Sequence, residues 1–367
     1  MTERTWQTVL GSAMTGADPS DVAWAMDRIL EDQATSAQLA AFVTALRVRG
    51  ETAPQMGALV DSLLSHGVTV DRTARPPIVV DVVGTGGDGS NSVNISTMAA
   101  LVTAAAGAPV VKHGNRAASS ATGSADVLEA LGVSIEMSAA DVASCVSTIG
   151  IAFCFAPAFH PALRFAGPTR RELGVPTVFN IAGPLANPAS PEAMLVGCAR
   201  PESAPVMAGV LADRGTRAVV VRGDDGLDEI SLCATTQVWD ATTGDVVEEL
   251  IDPREWGFEF VDPRALQGAS PERNVELLRA TLDPSVDAHQ NAADQDAAKI
   301  AAIRDAVTIN AAAALTAFDA AVAGGASGAV TERIAANVPR ARSIVDSGAA
   351  WSLLETWVDF SSRLGAR

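Results

Sequence analysis

Between positions 84 and 89 the chain reads Gly-Thr-Gly-Gly-Asp-Gly, and a helical apolar pattern opens soon after at Asn94, Ile95, Ser96 and Thr97. Clustered glycines let the backbone approach a ligand closely, and a helix N-terminus adds unpaired N–H groups and positive partial charge; together they suit phosphate. The spacing also satisfies G-x-G-x-x-G, a weak signal by itself. A dinucleotide site would follow it with an acidic residue near the end of the second strand, to hold the ribose hydroxyls. Here that strand ends in Lys112.

Lys112 opens a second constellation: His113, Gly114, Asn115, Arg116, Ala117, Ala118, Ser119 and Ser120, closed by Gly123 and by Ser124 at the start of a helix. Cations followed by hydroxyls on a flexible loop would wrap a pyrophosphate. Only two of the 26 Lys and Arg residues are lysines, Lys112 and Lys299, so a lysine here is unusual for this chain. Taken alone, Lys112 could equally be a solvated surface charge and His113 a structural histidine. Two further features carry chemistry only in context. Asp228 and Glu229 are adjacent acids in an acidic chain, where such a loop is common. Arg170 could pair bidentately with a carboxylate ligand or form an ion pair with Glu172.

These residues must be positioned by a chain of 367 residues, long enough for one large domain and a smaller companion. A formal charge of -17 and the lack of any Lys/Arg stripe with interleaved aromatics exclude nucleic acid as a natural partner. The cysteines, Cys145, Cys154, Cys198 and Cys233, form no CxxC pair and read as buried thiols of a reducing compartment. Residues 1–11 lack an apolar signal region, and the longest uncharged stretch, 89–111, is broken by Asn91, Asn94, Gly107 and Pro109. Neither export nor a membrane span is expected, and a cytoplasmic location is the default.

The first seventy residues carry helical periodicity only: 6–14; then Val22, Ala25, Ile29 and Leu30; then Leu39, Phe42, Val43 and Leu46; then Met56, Leu59, Val60 and Leu63 behind a Thr52/Gln55 capping box. Residues 72–77, with adjacent prolines, make a plausible boundary. From Ile78 a short apolar run (78–83), a glycine turn, a helix through Ala106 and a second run (109–111) give a βαβ rhythm. Later runs at 151–155 and 218–221 alternate with helical stretches at 141–149 and 202–212. Residues 283–295 are polar and expected to be an exposed connection. The fold class is α/β: a small all-helical N-terminal domain, 1–74, joined by part of 160–187, and a large α/β domain, 75–367, with a mostly parallel central sheet.

GTGGDG, NIST, KHGNRAASS and GSADVLEALG, in this order, resemble the signature of the anthranilate phosphoribosyltransferases, whose fold is shared with nucleoside phosphorylases. The similarity continues through 160–174, 177–188 and 223–231 and weakens after Val247. The resemblance implies transfer of the 5-phosphoribosyl group from phosphoribosyl pyrophosphate to the amine of anthranilate, with release of pyrophosphate, in tryptophan biosynthesis. By similarity, Gly84, Gly87, Asp88, Ser92, Asn94 to Thr97, Lys112 to Ser120 and Ser124 would hold the donor. Asn115, Arg170 and Gly84 would hold anthranilate, with His113 nearby. Ser96, Asp228 and Glu229 would ligate Mg²⁺, a hard cation that prefers oxygen ligands and substrate phosphates. Two chains would associate through their helical domains. The chain departs from the family at Phe165, where His is common, and at Leu163, where Met or Tyr is common, so no histidine at 165 can assist the acceptor. A pyrimidine nucleoside phosphorylase is the nearer alternative and a non-catalytic relative the more distant one.

Overall fold

The computed structural model describes residues 4–117, 121–286 and 294–365. Four helices come first: α1 (Trp6–Thr15), α2 (Pro19–Leu30), α3 (Ser36–Arg49) and α4 (Ala53–Ser65). Thr5, Thr35 and Thr52 each start a helix with a capping box. At Thr52 the Gln55 amide N–H donates to the threonine hydroxyl at 3.4 Å and the Thr52 amide N–H donates to Gln55 Oε1 at 3.0 Å, as the sequence predicts.

The rest is wound on a seven-stranded sheet. In chain order the elements are β1 (Val80–Gly84), α5 (Ile95–Ala105), β2 (Val110–Gly114), α6 (Ser124–Ala130), α7 (Ala139–Ile149), β3 (Ile151–Phe155) and α8 (Ala156–Phe159). There follow α9 (Gly167–Leu173), α10 (Val178–Leu185), β4 (Ala193–Gly197), α11 (Ala204–Asp213), β5 (Arg217–Gly223), β6 (Thr236–Asp240) and β7 (Val247–Ile251). The chain closes with α12 (Pro271–Leu282), α13 (Asp294–Val322), α14 (Val330–Ser347) and α15 (Ala349–Gly365). Strand order is β3-β2-β1-β4-β5-β6-β7, with the first five parallel and β6 and β7 antiparallel. The chain moves outward from β1 to β3 and returns to place β4 on the other side of β1. The reversal thus falls beside β1, and ligands of open α/β sheets bind at the C-terminal ends of strands near such a point.

Strand alternation sorts the core into two layers. On β5, Val219 and Val221 face a layer built with α5, α13 and α14, whereas Ala218 and Val220 face a layer shared with α1 to α4, α10 and α11. Residues 297–322 of α13 are long and apolar enough to cross a membrane, but here most of them are buried as the sheet's central covering helix.

Two expectations need correction, and one feature of the mostly parallel sheet was unforeseen. Lys112 does not end the second strand: β2 continues to Gly114, so Lys112 and His113 are strand residues and both are buried. The sheet's far edge is an antiparallel extension that the apolar runs did not reveal. Asp283, expected in an exposed connection, is buried and accepts the Ser285 amide N–H at 2.9 Å; residues 287–293 of that connection lie outside the described residues.

Candidate active site

A cleft of about 300 Å³ lies over the ends of β1 and β2. After β1 the chain turns through Gly86, Gly87 and Gly89, each at positive φ (64°, 78° and 74°), a conformation that side-chain-bearing residues seldom adopt. The turn, the start of α5 and the end of β2 place Gly84, Gly87, Asp88, Ser92, Asn94, Ile95, Ser96, Lys112, His113, Gly114, Asn115, Arg116, Ala117 and Ser124 around one space. Asp228 and Glu229 enter it from the turn after β5. Thr97 is the exception: it points into the core, and its hydroxyl has no hydrogen-bond partner. Ala118, Ser119 and Ser120 lie outside the described residues. The ends of their loop are tied by Asp126, whose Oδ2 accepts the amide N–H groups of Ala117 and Gly123, both at 2.9 Å. Arg116 is engaged by Glu129, with N–O distances of 2.5 and 3.1 Å, and by Asp126 at 3.4 Å.

Lys112 is only 2 % exposed, which rules out the surface-charge reading. Its Nζ donates to the Val82 carbonyl and, at 3.2 Å, to Ser96 Oγ. Burial holds its ammonium below its ordinary value, against the nearby charges of Asp81, Glu229 and Asp228. Asp81, inside β1, is fully buried; its Oδ1 accepts the His113 amide N–H at 3.1 Å and its Oδ2 accepts Asn187 Nδ2–H at 2.8 Å. Burial pushes the Asp81 carboxyl up to about 6, despite Lys112. His113 Nδ1 sits 3.1 Å from the Gly183 carbonyl; since a carbonyl only accepts, Nδ1 carries the proton. Burial, then His160, pushes the imidazole down to about 3. His113 is therefore neutral, and its Nε2 is a buried acceptor without a partner.

Three acids, Asp88, Asp228 and Glu229, line the cleft. Burial and then the charge of Asp88 push Asp228 up to about 7, and burial and then Asp228 push Glu229 well above its ordinary value. Asp88 Oδ2 is buried with no partner. Two desolvated carboxylates, a third with one unpartnered oxygen and the Ser96 hydroxyl line the same cleft with the hard oxygens Mg²⁺ takes, although among the described residues no three acids are already drawn together as a metal cluster. The Glu229 carboxylate takes a backbone hydrogen bond from Ser96. The residues fit Mg²⁺.

Arg170 is not part of the cleft lining. It stands on α9 with its guanidinium 5.1 Å from the ring centroid of Phe179, the neighbour of the cleft residue Asn180. Among the described residues it has no carboxylate partner, so the Glu172 ion pair is not formed, and burial lowers its pKa. Phe165 lies under the Arg164 guanidinium at 4.4 Å, and Leu163 packs against the helical-side core. Sequence reasoning missed Asn180, Asp81 and Asn187. A lone carboxylate within the apolar run 78–83 was the one available signal for Asp81.

Residues 76–351 match the glycosyl transferase family a/b domain, and residues 17–67 match the helical bundle domain of the same family. The anthranilate phosphoribosyltransferase of Nocardia farcinica is 50% identical over 364 residues, 98% of this chain and 100% of that protein. This chain belongs to the anthranilate phosphoribosyltransferases. The Saccharopolyspora erythraea enzyme is 48% identical over 98% of this chain and 97% of its own length. Among solved structures, the anthranilate phosphoribosyltransferase of Thermus thermophilus superposes with a TM-score of 0.83 at 35% identity, covering 96% of this chain and 99% of that one. The Saccharomyces cerevisiae enzyme in complex with PRPP and Mg superposes with a TM-score of 0.83 at 27% identity and 99% coverage of both chains. These likenesses favour the transferase over the phosphorylase alternative.

Proposed function

We propose that this chain transfers the 5-phosphoribosyl group of phosphoribosyl pyrophosphate to the amine of anthranilate and releases pyrophosphate, a step of tryptophan biosynthesis. The observation that carries the reading is the convergence of the glycine turn, the start of α5, buried Lys112 and the Asp228–Glu229 pair on one cleft. Donor phosphates would lie against the turn and the Lys112 to Ser124 segment, where backbone N–H groups and a desolvated ammonium meet growing negative charge on the leaving pyrophosphate. Mg²⁺, held by Ser96, Asp228 and Glu229, supplies charge neutralisation at the pyrophosphate.

Asn115 and Gly84 both line the cleft, and Arg170 stacks over Phe179, next in sequence to the lining residue Asn180. In this reading Arg170 and Asn115 hold the anthranilate carboxylate and aim its amine at the ribose carbon. Anthranilate's amine is neutral at pH 7, so no strong general base is needed, and neutral His113 is suited to accept a hydrogen bond rather than to carry charge. The yeast relative has been solved with 4-fluoroanthranilate, which supports this acceptor class.

The same reading assigns residues 1–74, joined by part of 160–187, to a helical domain and 75–367 to the donor-binding domain, and it takes the working unit to be a homodimer in the cytoplasm. Exposed Met14 and Val48 on α1 and α3 support an interface through the helices, and the four unpaired thiols support a reducing compartment. Light scattering in solution would test the dimer. Anthranilate consumption by the purified protein, with phosphoribosyl pyrophosphate and Mg²⁺, tests donor, acceptor and metal together; activity with thymidine and phosphate instead would overturn the reading.

A further inference from the structure

Asn94 occupies the N-cap position of α5, where asparagine ordinarily turns its side chain back to accept an N–H of the first turn. Here it makes no such bond. Both ends of its amide are used elsewhere: Nδ2–H donates to the Thr122 carbonyl at 3.1 Å, and Oδ1 accepts Nδ2–H of Asn274 at 3.0 Å. Asn274 lies on α12, 180 residues away in sequence and 3 % exposed, and its own Oδ1 accepts the Ala269 amide N–H at 2.8 Å. Thr122 closes the circuit by donating its hydroxyl to the Ala269 carbonyl at 2.7 Å. The same stretch runs beside the donor turn, where the Val93 amide N–H donates to the Leu266 carbonyl at 2.8 Å and the Gly268 amide N–H donates to the Asn91 carbonyl at 2.7 Å.

We propose that Asn274 is a positioning residue for the donor site: with Ala269 it locks the start of α5 and the closing end of the Lys112–Ser124 segment into one register, and it keeps Asn94 from capping its own helix. The proposal rests on the donor-site reading above and deepens it. Asn274 lines no part of the cleft, so it reaches the donor site through Asn94. With its one carbonyl and one amide group used in opposite directions, it can satisfy Ala269 and Asn94 together only as asparagine. Aspartate would keep the bond from Ala269 and lose the bond to Asn94. Freed Asn94 could then turn back onto α5 and take an N–H that the donor phosphate requires.

The test uses the full-length protein with Mg²⁺ and phosphoribosyl pyrophosphate as calorimetric titrant, alongside steady-state kinetics. Asn274→Asp should weaken donor binding roughly tenfold, in line with loss of one buried hydrogen bond, leave the KM for anthranilate within twofold, and leave the melting temperature within a few degrees. Asn94→Ala should weaken donor binding at least as much, and Asn274→Asp added to Asn94→Ala should cost nothing further, because the first change has already removed what the second acts through. Should Asn274→Asp fail to fold, Thr122→Val reads the same circuit and should also weaken the donor. Full additivity of the two changes, or a loss confined to kcat, overturns the proposal. Normal donor affinity in Asn274→Asp alongside a weakened Asn94→Ala overturns it while sparing the donor reading; normal affinity in Asn94→Ala itself removes the donor reading.

Discussion

Asp228 accepts the Gly86 amide N–H at 2.7 Å, joining two segments 142 residues apart. The acid pair and the glycine turn are therefore one unit, and the same carboxylate stands against Gly84, where an added Cβ would come within 2.3 Å of its Oδ2. Changes at the acids should be felt at the turn that faces the donor phosphates.

Replacing Asp228 by Asn and Glu229 by Gln together should leave the fold intact and greatly lower turnover at ordinary Mg²⁺, because the amides keep the shape and lose the charge. A Mg²⁺ titration of activity that matches the unmodified protein would take both residues out of the metal site.

Asp228 also sets a pH dependence. Its carboxyl is raised to about 7 in the folded, metal-free protein, so between its ordinary value of 3.8 and about 7 the folded state holds a proton the unfolded chain has lost. Its contribution to stability falls as pH rises through that window. Asp81, raised to about 6, acts in the same sense, while His113, pushed down to about 3, acts in the opposite sense below its ordinary value. The difference between the protein and Asp228→Asn isolates one group: without metal, the variant should gain in melting temperature relative to the parent from pH 5 to pH 8. Added Mg²⁺ should reverse the order at pH 8. A difference that stays flat with pH would mean that Asp228 is ionised throughout.

Lys112→Ala should weaken donor binding or turnover by about 2 to 3 kcal/mol, the scale of a lost charge-assisted contact. Because Lys112 is buried beside Asp81, the melting temperature should fall as well, and Lys112→Met, which keeps the stem volume, should recover part of the stability but none of the donor affinity. Calorimetry with the donor and a thermal melt separate the two effects. Unchanged donor affinity in both variants would leave Lys112 a structural cation.

Arg170→Ala should raise the KM for anthranilate strongly with donor affinity nearly unchanged. Aniline, which lacks the carboxylate, should be a poor substrate with either protein. Equal losses toward both amines would show that Arg170 acts by supporting Phe179, over which it stacks, and not by binding a carboxylate.

Gly197 does not itself line the cleft; its carbonyl accepts the Thr85 amide N–H at 3.0 Å, and an added Cβ would come within 1.6 Å of the Asp228 carbonyl oxygen. Backbone cannot swing aside as a side chain can, so Gly197→Ala should displace the 228–229 turn, cost about 1 to 3 kcal/mol or more of stability, and lower activity. Gly84→Ala meets the mobile end of the same residue and should cost less stability. Paired melting curves test the ranking.

The glycine turn and the N-terminal helices could be read from sequence because their signals are local: a run of glycines, a capping threonine, an apolar stripe. Lys112 misled because a cation after two valines reads as the end of a strand, whereas its burial depends on Val82, Ser96 and Asp81, none of them nearby in sequence. Asn187 and Asn274 were invisible for the same reason; single polar residues in ordinary helical or loop context gain meaning only from partners 106 and 180 positions away. The β6–β7 extension was obscured because β7, Val247–Ile251, leaves three of its five residues exposed, buries only Ile251 and carries two glutamates.

One face of the sheet, through Met194, Val196, Ala218 and Val220, shares its core with α1 to α4. The N-terminal helices thus cover one face of the sheet. Chimeras made by exchanging those helices between relatives should fail at the seam unless the matching residues of β4 and β5 travel with them, so the two parts are expected to have diverged in step.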